Sequence, residues 1–273
     1  MAHSPADRLP APEEPLAANP PHRYTLLGPV RALHGAEDRT PRAPKVRTLL
    51  ALLLTQRGEQ TPVYLIIEEL WGEAVPPTAV SALQLYVSQL RRLLAPELPA
   101  RSREHPLTTR NRSYRLEVEP RSVDAQVFVD RCQQGRRALD SGAPAAASRQ
   151  LAAALALWRG PALADVDCRT VLGFHAHQLT SARLLALESR IEADLRLDRH
   201  HSLLAELTGL VREHPLNETF YRQLILAQLR CERRGEALRT YHRAWRTLQT
   251  ELGIGPGPRL REVHQRILRG DRD

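Results

Sequence analysis

The stretch TAVSALQLYVSQLRRLL, residues 78–94, repeats its apolar side chains at helical spacing, so that Leu83, Val87, Leu90 and Leu94 fall on one narrow stripe. The opposite side carries Ser81, Gln84, Ser88, Arg91 and Arg92 and no carboxylate, and Leu85 interrupts it as an aliphatic residue that would face water. Arg and Gln can bond base edges in a DNA major groove, Ser takes phosphate or base, and a leucine can lie against a thymine methyl. An ordinary solvated helix has the same pattern. The helix alone does not decide between them; its neighbours do.

Upstream, residues 46–56 (VRTLLALLLTQ) read as a buried helix stopped by Gly58, and residues 64–71 (YLIIEELW) as a second helix ended by Gly72. Before them, YTLLGPVRAL at residues 24–33 is two short strand-like runs around the turn pair Gly28-Pro29. Residues 1–21 are rich in Pro, Ala and Glu without periodicity and are expected to form a disordered tail. Downstream, Pro96, Pro99 and Pro106 break a linker, and LTTRNRSYRLEV, from Leu107 on, gives two strand-prone runs around residues 111–113. Five arginines and one glutamate, Glu104, lie between Arg101 and Arg115, so this hairpin has a basic tip. Strands, helix, helix, loop, helix, hairpin is the order of a winged helix-turn-helix with a small sheet in front. A groove-sized helix followed by an arginine-tipped hairpin combines base reading with backbone clamping.

From about Pro120 the chain reads as helix throughout. Residues 123–140, 144–158, 171–197, 200–214, 217–230, 234–251 and 258–269 are amphipathic segments divided by short breakers. Residues 220–230 and 234–245 look alike at the helical-hairpin period of tetratricopeptide-type repeats, with Ala227, Ala237 and Ala244 where helices would approach closely. The expected fold is therefore multidomain: a tail at 1–21, an α/β winged helix-turn-helix at 22–119, and an all-α tetratricopeptide-like domain at 120–273.

The composition agrees with an acidic partner. The formal charge is +8 and the pI about 10.1 over 273 residues, and Lys45 is the only lysine among the cations. Cys132, Cys168 and Cys231 are isolated, without metal-ligand spacing, which points to a reducing compartment with neither disulfides nor structural zinc. No apolar run approaches a membrane span and the start lacks a signal-peptide core, so a soluble cytoplasmic protein is expected.

In family order, LLGPV (26–30), LWGE (70–73), LQLYVSQLRRLL (83–94), ALALWRGPAL (154–163), EHPLNE (213–218), GEALRTY (235–241) and ELGIGPGPRL (251–260) resemble the Streptomyces antibiotic regulatory proteins (SARPs). In that family an OmpR-like winged helix precedes a bacterial transcriptional activation domain. Each motif is weak alone; the ordered set spans nearly everything beyond the tail. Departures are Ser113 where the wing usually has glycine, Gln89 where arginine is common, and Asp198 and Glu232 where inter-helix turns have glycine.

The resemblance implies base or groove contacts from Ser81, Gln84, Leu85, Ser88 and Gln89, and backbone contacts from Trp71, Arg91, Arg92 and Thr108. Arg110 and Arg112 belong to the wing, with Arg110 reaching the minor groove. Arg91 lies nearer the buried side, where pairing with a carboxylate competes with a phosphate, and the Trp71 indole serves either core packing or phosphate donation. Lys45 and Arg47 are auxiliary clamps at best. The family activates secondary-metabolite gene clusters by binding direct repeats upstream of promoters as a homo-oligomer on DNA and recruiting RNA polymerase through its sigma factor. The loop of Gly72, Glu73, Ala74, Val75, Pro76 and Pro77 is the implied polymerase contact. No cofactor is implied.

An enzyme would need a site, and none of G-x-x-x-x-G-K-[ST], H-E-x-x-H or G-x-S-x-G occurs. GIGPGP at 253–258 follows no strand, and its prolines deny a phosphate its backbone N–H donors. His175/His177 and His200/His201 read as exposed surface pairs. The remaining alternative is a helical-repeat scaffold that binds protein only, with a degenerate winged helix.

Overall fold

The computed structural model describes residues 22–99, 102 and 104–269. The expected tail at 1–21 lies outside the described residues. The chain opens with an antiparallel meander, β1 (His22–Thr25), β2 (Arg31–His34) and β3 (Glu37–Asp38), whose first register pairs Thr25 with Arg31 across the Gly28-Pro29 turn. α1 (Pro44–Thr55) begins with proline at its first turn, where the missing N–H costs nothing. Its six consecutive residues from Leu49 to Leu54 are all buried, so this helix is wrapped on every side.

A two-residue strand β4 (Thr61–Pro62) leads into α2 (Val63–Trp71) and then α3 (Ala79–Leu94). β5 (Leu107–Arg110) and β6 (Ser113–Leu116) form the hairpin, in a second sheet ordered β4-β6-β5. The stripe read from the sequence is the packed face of α3: Leu83, Val87, Leu90 and Leu94 all lie in the core with α1 and α2.

Beyond a 3-10 turn at Pro120–Ser122 come seven helices: α4 (Asp124–Asp140), α5 (Pro144–Leu155), α6 (Thr170–Leu195), α7 (His200–Glu213), α8 (Glu218–Arg230), α9 (Arg234–Leu252) and α10 (Pro258–Arg269). α4 and α5 cross so closely that a Cβ on Gly135 would stand 2.5 Å from Leu151 Cγ. Ala227, Ala237 and Ala244 are completely buried in the cluster built by α6 to α10, as small residues at helix contacts should be. The sequence predicts one helix over residues 144–158, but α5 stops at Leu155 because the chain leaves to bond the other half of the molecule.

That bonding joins the winged-helix part to the helical part through three carboxylates. The Leu26 and Leu27 N–H groups donate to Asp124 at 2.7 and 3.3 Å, and Arg159 pairs with the same carboxylate. Val30 N–H donates to Asp165 Oδ1 at 2.7 Å, while Arg47 Nη1 meets Asp165 Oδ2 at 2.9 Å. Glu69, only 1% exposed, reaches from α2 to the start of α6 and accepts from the N–H groups of Arg169, Val171 and Leu172 at 2.8, 2.7 and 3.3 Å. α6 has no capping side chain of its own, so Glu69 satisfies orphan N–H groups and places a negative charge at the positive end of the helix. Burial pushes the Asp124 pKa up against the pull of the Leu26 amide and Arg159. The hydrophobic contacts follow the same route: Leu163 and Leu172 complete the core around α1, and Leu27 inserts among α4, α5 and α6.

Candidate nucleic-acid interface

With its apolar stripe inside, α3 turns Ser81, Gln84, Leu85 and Arg92 to solvent, and leaves Ser88 and Gln89 half-buried. Leu85 is 54% exposed and Val80, which the periodicity did not single out, is 53% exposed, so two aliphatic side chains stand on this face. Neither end of the helix presents an acidic residue, and Arg91 and Arg92 occupy its last turn.

The hairpin lies against that last turn. Arg91 Nε donates to Leu107 O at 3.0 Å and its Nη2 to Thr109 Oγ1 at 2.8 Å. His105, 2% exposed, bridges the Arg91 carbonyl at 3.1 Å and the Leu107 N–H at 3.0 Å. These two bonds tie the Arg91 guanidinium to the wing strand. This half-buried guanidinium holds β5 to α3, while the adjacent Arg92 is exposed.

β5 and β6 pair from Leu107–Leu116 to Arg110–Ser113, leaving Asn111 and Arg112 as the turn with φ of 48° and 55°. Two consecutive positive φ values are those of a type I′ turn, which asparagine tolerates well. Ser113 is a paired strand residue, so its departure from glycine costs the turn nothing. Arg110 and Arg112 are exposed, and Thr108 is half-buried. Behind the wing, burial raises the Tyr114 pKa, with Arg91 opposing.

Trp71 is half-buried against the core and stacks on Tyr86 with ring centroids 6.1 Å apart, while Lys45 Nζ sits 4.9 Å from its ring. The indole thus braces α2 against α3, and Lys45 also donates to Leu70 O. Arg47 is engaged with Asp165. In the loop that follows, Glu73, Ala74, Val75 and Pro77 are exposed and Gly72 and Pro76 half-buried. Gly72 has φ 58°, and a Cβ there would meet Arg169 Nη1 at 2.7 Å, so the helical half covers the loop's first residue.

The histidine pairs are less exposed than their sequence suggests. His177 and His201 face solvent, but His175 and His200 are half-buried, because α6 packs on α1 and His200 folds back onto Asp198 at 3.2 Å. Among the described residues no three His, Cys, Asp or Glu side chains gather as a metal site, and no helix is long and apolar enough to cross a membrane. The sequence reading missed Glu69, Asp124 and Asp165, which hold the two parts together. One signal was available: Glu69 falls three residues after Ile66, on the buried side of α2.

Residues 123–268 match the family described as bacterial transcriptional activator domain, and residues 37–116 the one described as transcriptional regulatory protein, C terminal. The regulatory protein DnrI of Streptomyces peucetius is 38% identical over 253 residues, covering 91% of this chain and 93% of that protein. The transcriptional regulator RedD of Streptomyces coelicolor is 34% identical, covering 90% of this chain and 70% of that protein. A solved structure of Mycobacterium tuberculosis EmbR in complex with a low affinity phosphopeptide superposes with a TM-score of 0.86 at 35% identity, covering 91% of this chain and 65% of that one.

Proposed function

The chain belongs to the Streptomyces antibiotic regulatory protein family of transcriptional regulators, with an OmpR-like winged helix and a bacterial transcriptional activator domain, and we propose that it activates a secondary-metabolite gene cluster by gripping promoter DNA through α3 and the wing. Residues 22–119 are the DNA-binding unit in this reading and residues 120–273 the activation unit. Ser81, Gln84, Leu85, Ser88 and Gln89 face base edges, and Arg92, with Thr108, Arg110 and Arg112, engages the phosphates and the minor groove. Arg91 and Trp71 act chiefly by holding the wing and α2 in place. Copies assemble on direct repeats, and the exposed loop from Gly72 to Pro77 meets RNA polymerase at its sigma factor.

The observation that carries this reading is the pairing of one carboxylate-free helix face with an arginine-tipped hairpin fastened to its last turn by Arg91 and His105. Helix and hairpin present cations at a fixed spacing, as a groove reader with a backbone clamp requires. Footprinting the full chain on DNA upstream of biosynthetic genes beside its own tests the reading. Protection of two directly repeated segments on one face of the duplex is the expected result. Absence of protection, with retained protein binding, would favour the scaffold alternative.

A further inference from the structure

Where the two parts of the molecule meet there is a cavity of about 420 Å³, within the size range of small-molecule sites. α1 contributes Leu54 and the turn after it Arg57, α4 contributes Val129, and α6 contributes His175, Gln178 and Leu179. The walls are thus mostly hydrocarbon, with polar groups at Thr55, Arg57, Gln126, His175 and Gln178.

Arg57 is the unusual member. Its φ is 51°, a left-handed conformation that glycine or asparagine adopts at lower cost, yet an arginine stands there beside Gly58. It is exposed, and among the described residues no carboxylate pairs with it. Glu69, whose charge bears on His175, already accepts three N–H groups from the start of α6. Burial first and Arg57 second hold the His175 imidazole below its ordinary range, Glu69 opposing, so it is a neutral hydrogen-bonding group at neutral pH. A cation that no carboxylate pairs with among the described residues therefore lines a cavity with largely apolar walls.

We propose that this cavity binds a small organic anion whose ring or chain lies between α4 and α6 and whose acidic group meets Arg57, with His175 and Gln178 as hydrogen-bond partners. Carboxylate and sulfonate share the needed chemistry. Because α1 belongs to the winged-helix part and α4 and α6 to the helical part, a bound molecule fastens one to the other. The proposal rests on the cavity and not on DNA binding, so either reading can fail without the other.

The test uses the full chain and two fluorescent probes of similar shape, anilinonaphthalene sulfonate and the uncharged phenylnaphthylamine. Saturable binding of one sulfonate per chain is expected, tighter than the neutral probe. Arg57→Asn suits the backbone and removes the charge; it should weaken the sulfonate by about tenfold or more, as loss of a charge-assisted contact does, and the neutral probe by less than about threefold. Gln178→Trp, made at an exposed position on the cavity wall, should exclude both probes. The idea is overturned if the sulfonate binds Arg57→Asn as it binds the parent chain, or if the neutral probe binds the parent equally well. It is also overturned if Gln178→Trp, with an unchanged melting temperature, admits both. Should Gln178→Trp fail to fold, the Arg57→Asn comparison decides alone.

Discussion

Arg91 and Arg92 are adjacent in α3, yet one guanidinium reaches back to Leu107 and Thr109 while the other faces solvent. Their substitutions should separate accordingly. Arg92→Ala with Arg110→Ala should leave the melting temperature unchanged. In gel-shift titrations the same double variant should cost about 1.5–3 kcal/mol of DNA binding per lost charge-assisted contact. Arg91→Ala removes two bonds between α3 and the wing and should lower stability by roughly 1–3 kcal/mol, visible as a drop of several degrees in a thermal melt. An Arg91→Ala protein that melts normally but binds DNA poorly would instead make Arg91 a direct phosphate contact. The side of the helix each arginine occupies is readable from spacing, because the apolar stripe sets the phase. The strand that Arg91 bonds is not, since nothing local in the sequence announces a partner 16 to 18 residues away.

At the level of elements, periodicity located every long helix, because a buried stripe at 3.6-residue spacing is a local signal. β3 and β4 escaped notice, since two-residue strands have no period to read. The turns were legible through glycine positions: Asp198 and Glu232, read as replacing glycine, do take φ of 57° and 60°. The cap on α6 was not legible, because Glu69 lies about a hundred residues before the N–H groups it serves. Glu69→Gln keeps the shape but replaces two acceptor oxygens by one and a donor, facing N–H groups. It should destabilise the protein by about 1–3 kcal/mol, measured by denaturant unfolding, because buried N–H groups lose their partner. Unchanged stability would mean that the cap contributes nothing.

Across the whole molecule, the order of motifs foretold a winged helix followed by a helical domain. How the two parts dock was beyond reach, because that interface is built from single carboxylates and from Leu26 and Leu27 in a turn, none of which forms a pattern. One consequence is that a fragment of residues 22–119 loses the cover of Leu27 and the partners of Glu69 and Val30. It should melt well below the full chain, checked by circular dichroism, and any DNA binding it keeps should be weaker. A fragment as stable as the parent would show the interface to be incidental.

The central claim, that α3 and the wing hold double-stranded DNA through their cations, is tested most directly by fluorescence anisotropy of the full chain on its promoter duplex across ionic strength. With Arg92, Arg110 and Arg112 each displacing condensed counterions from the duplex, the log–log slope of affinity against salt should be about −3 or steeper. A chain that ignores the duplex at low salt, or binds it with a flat salt dependence, would contradict the account.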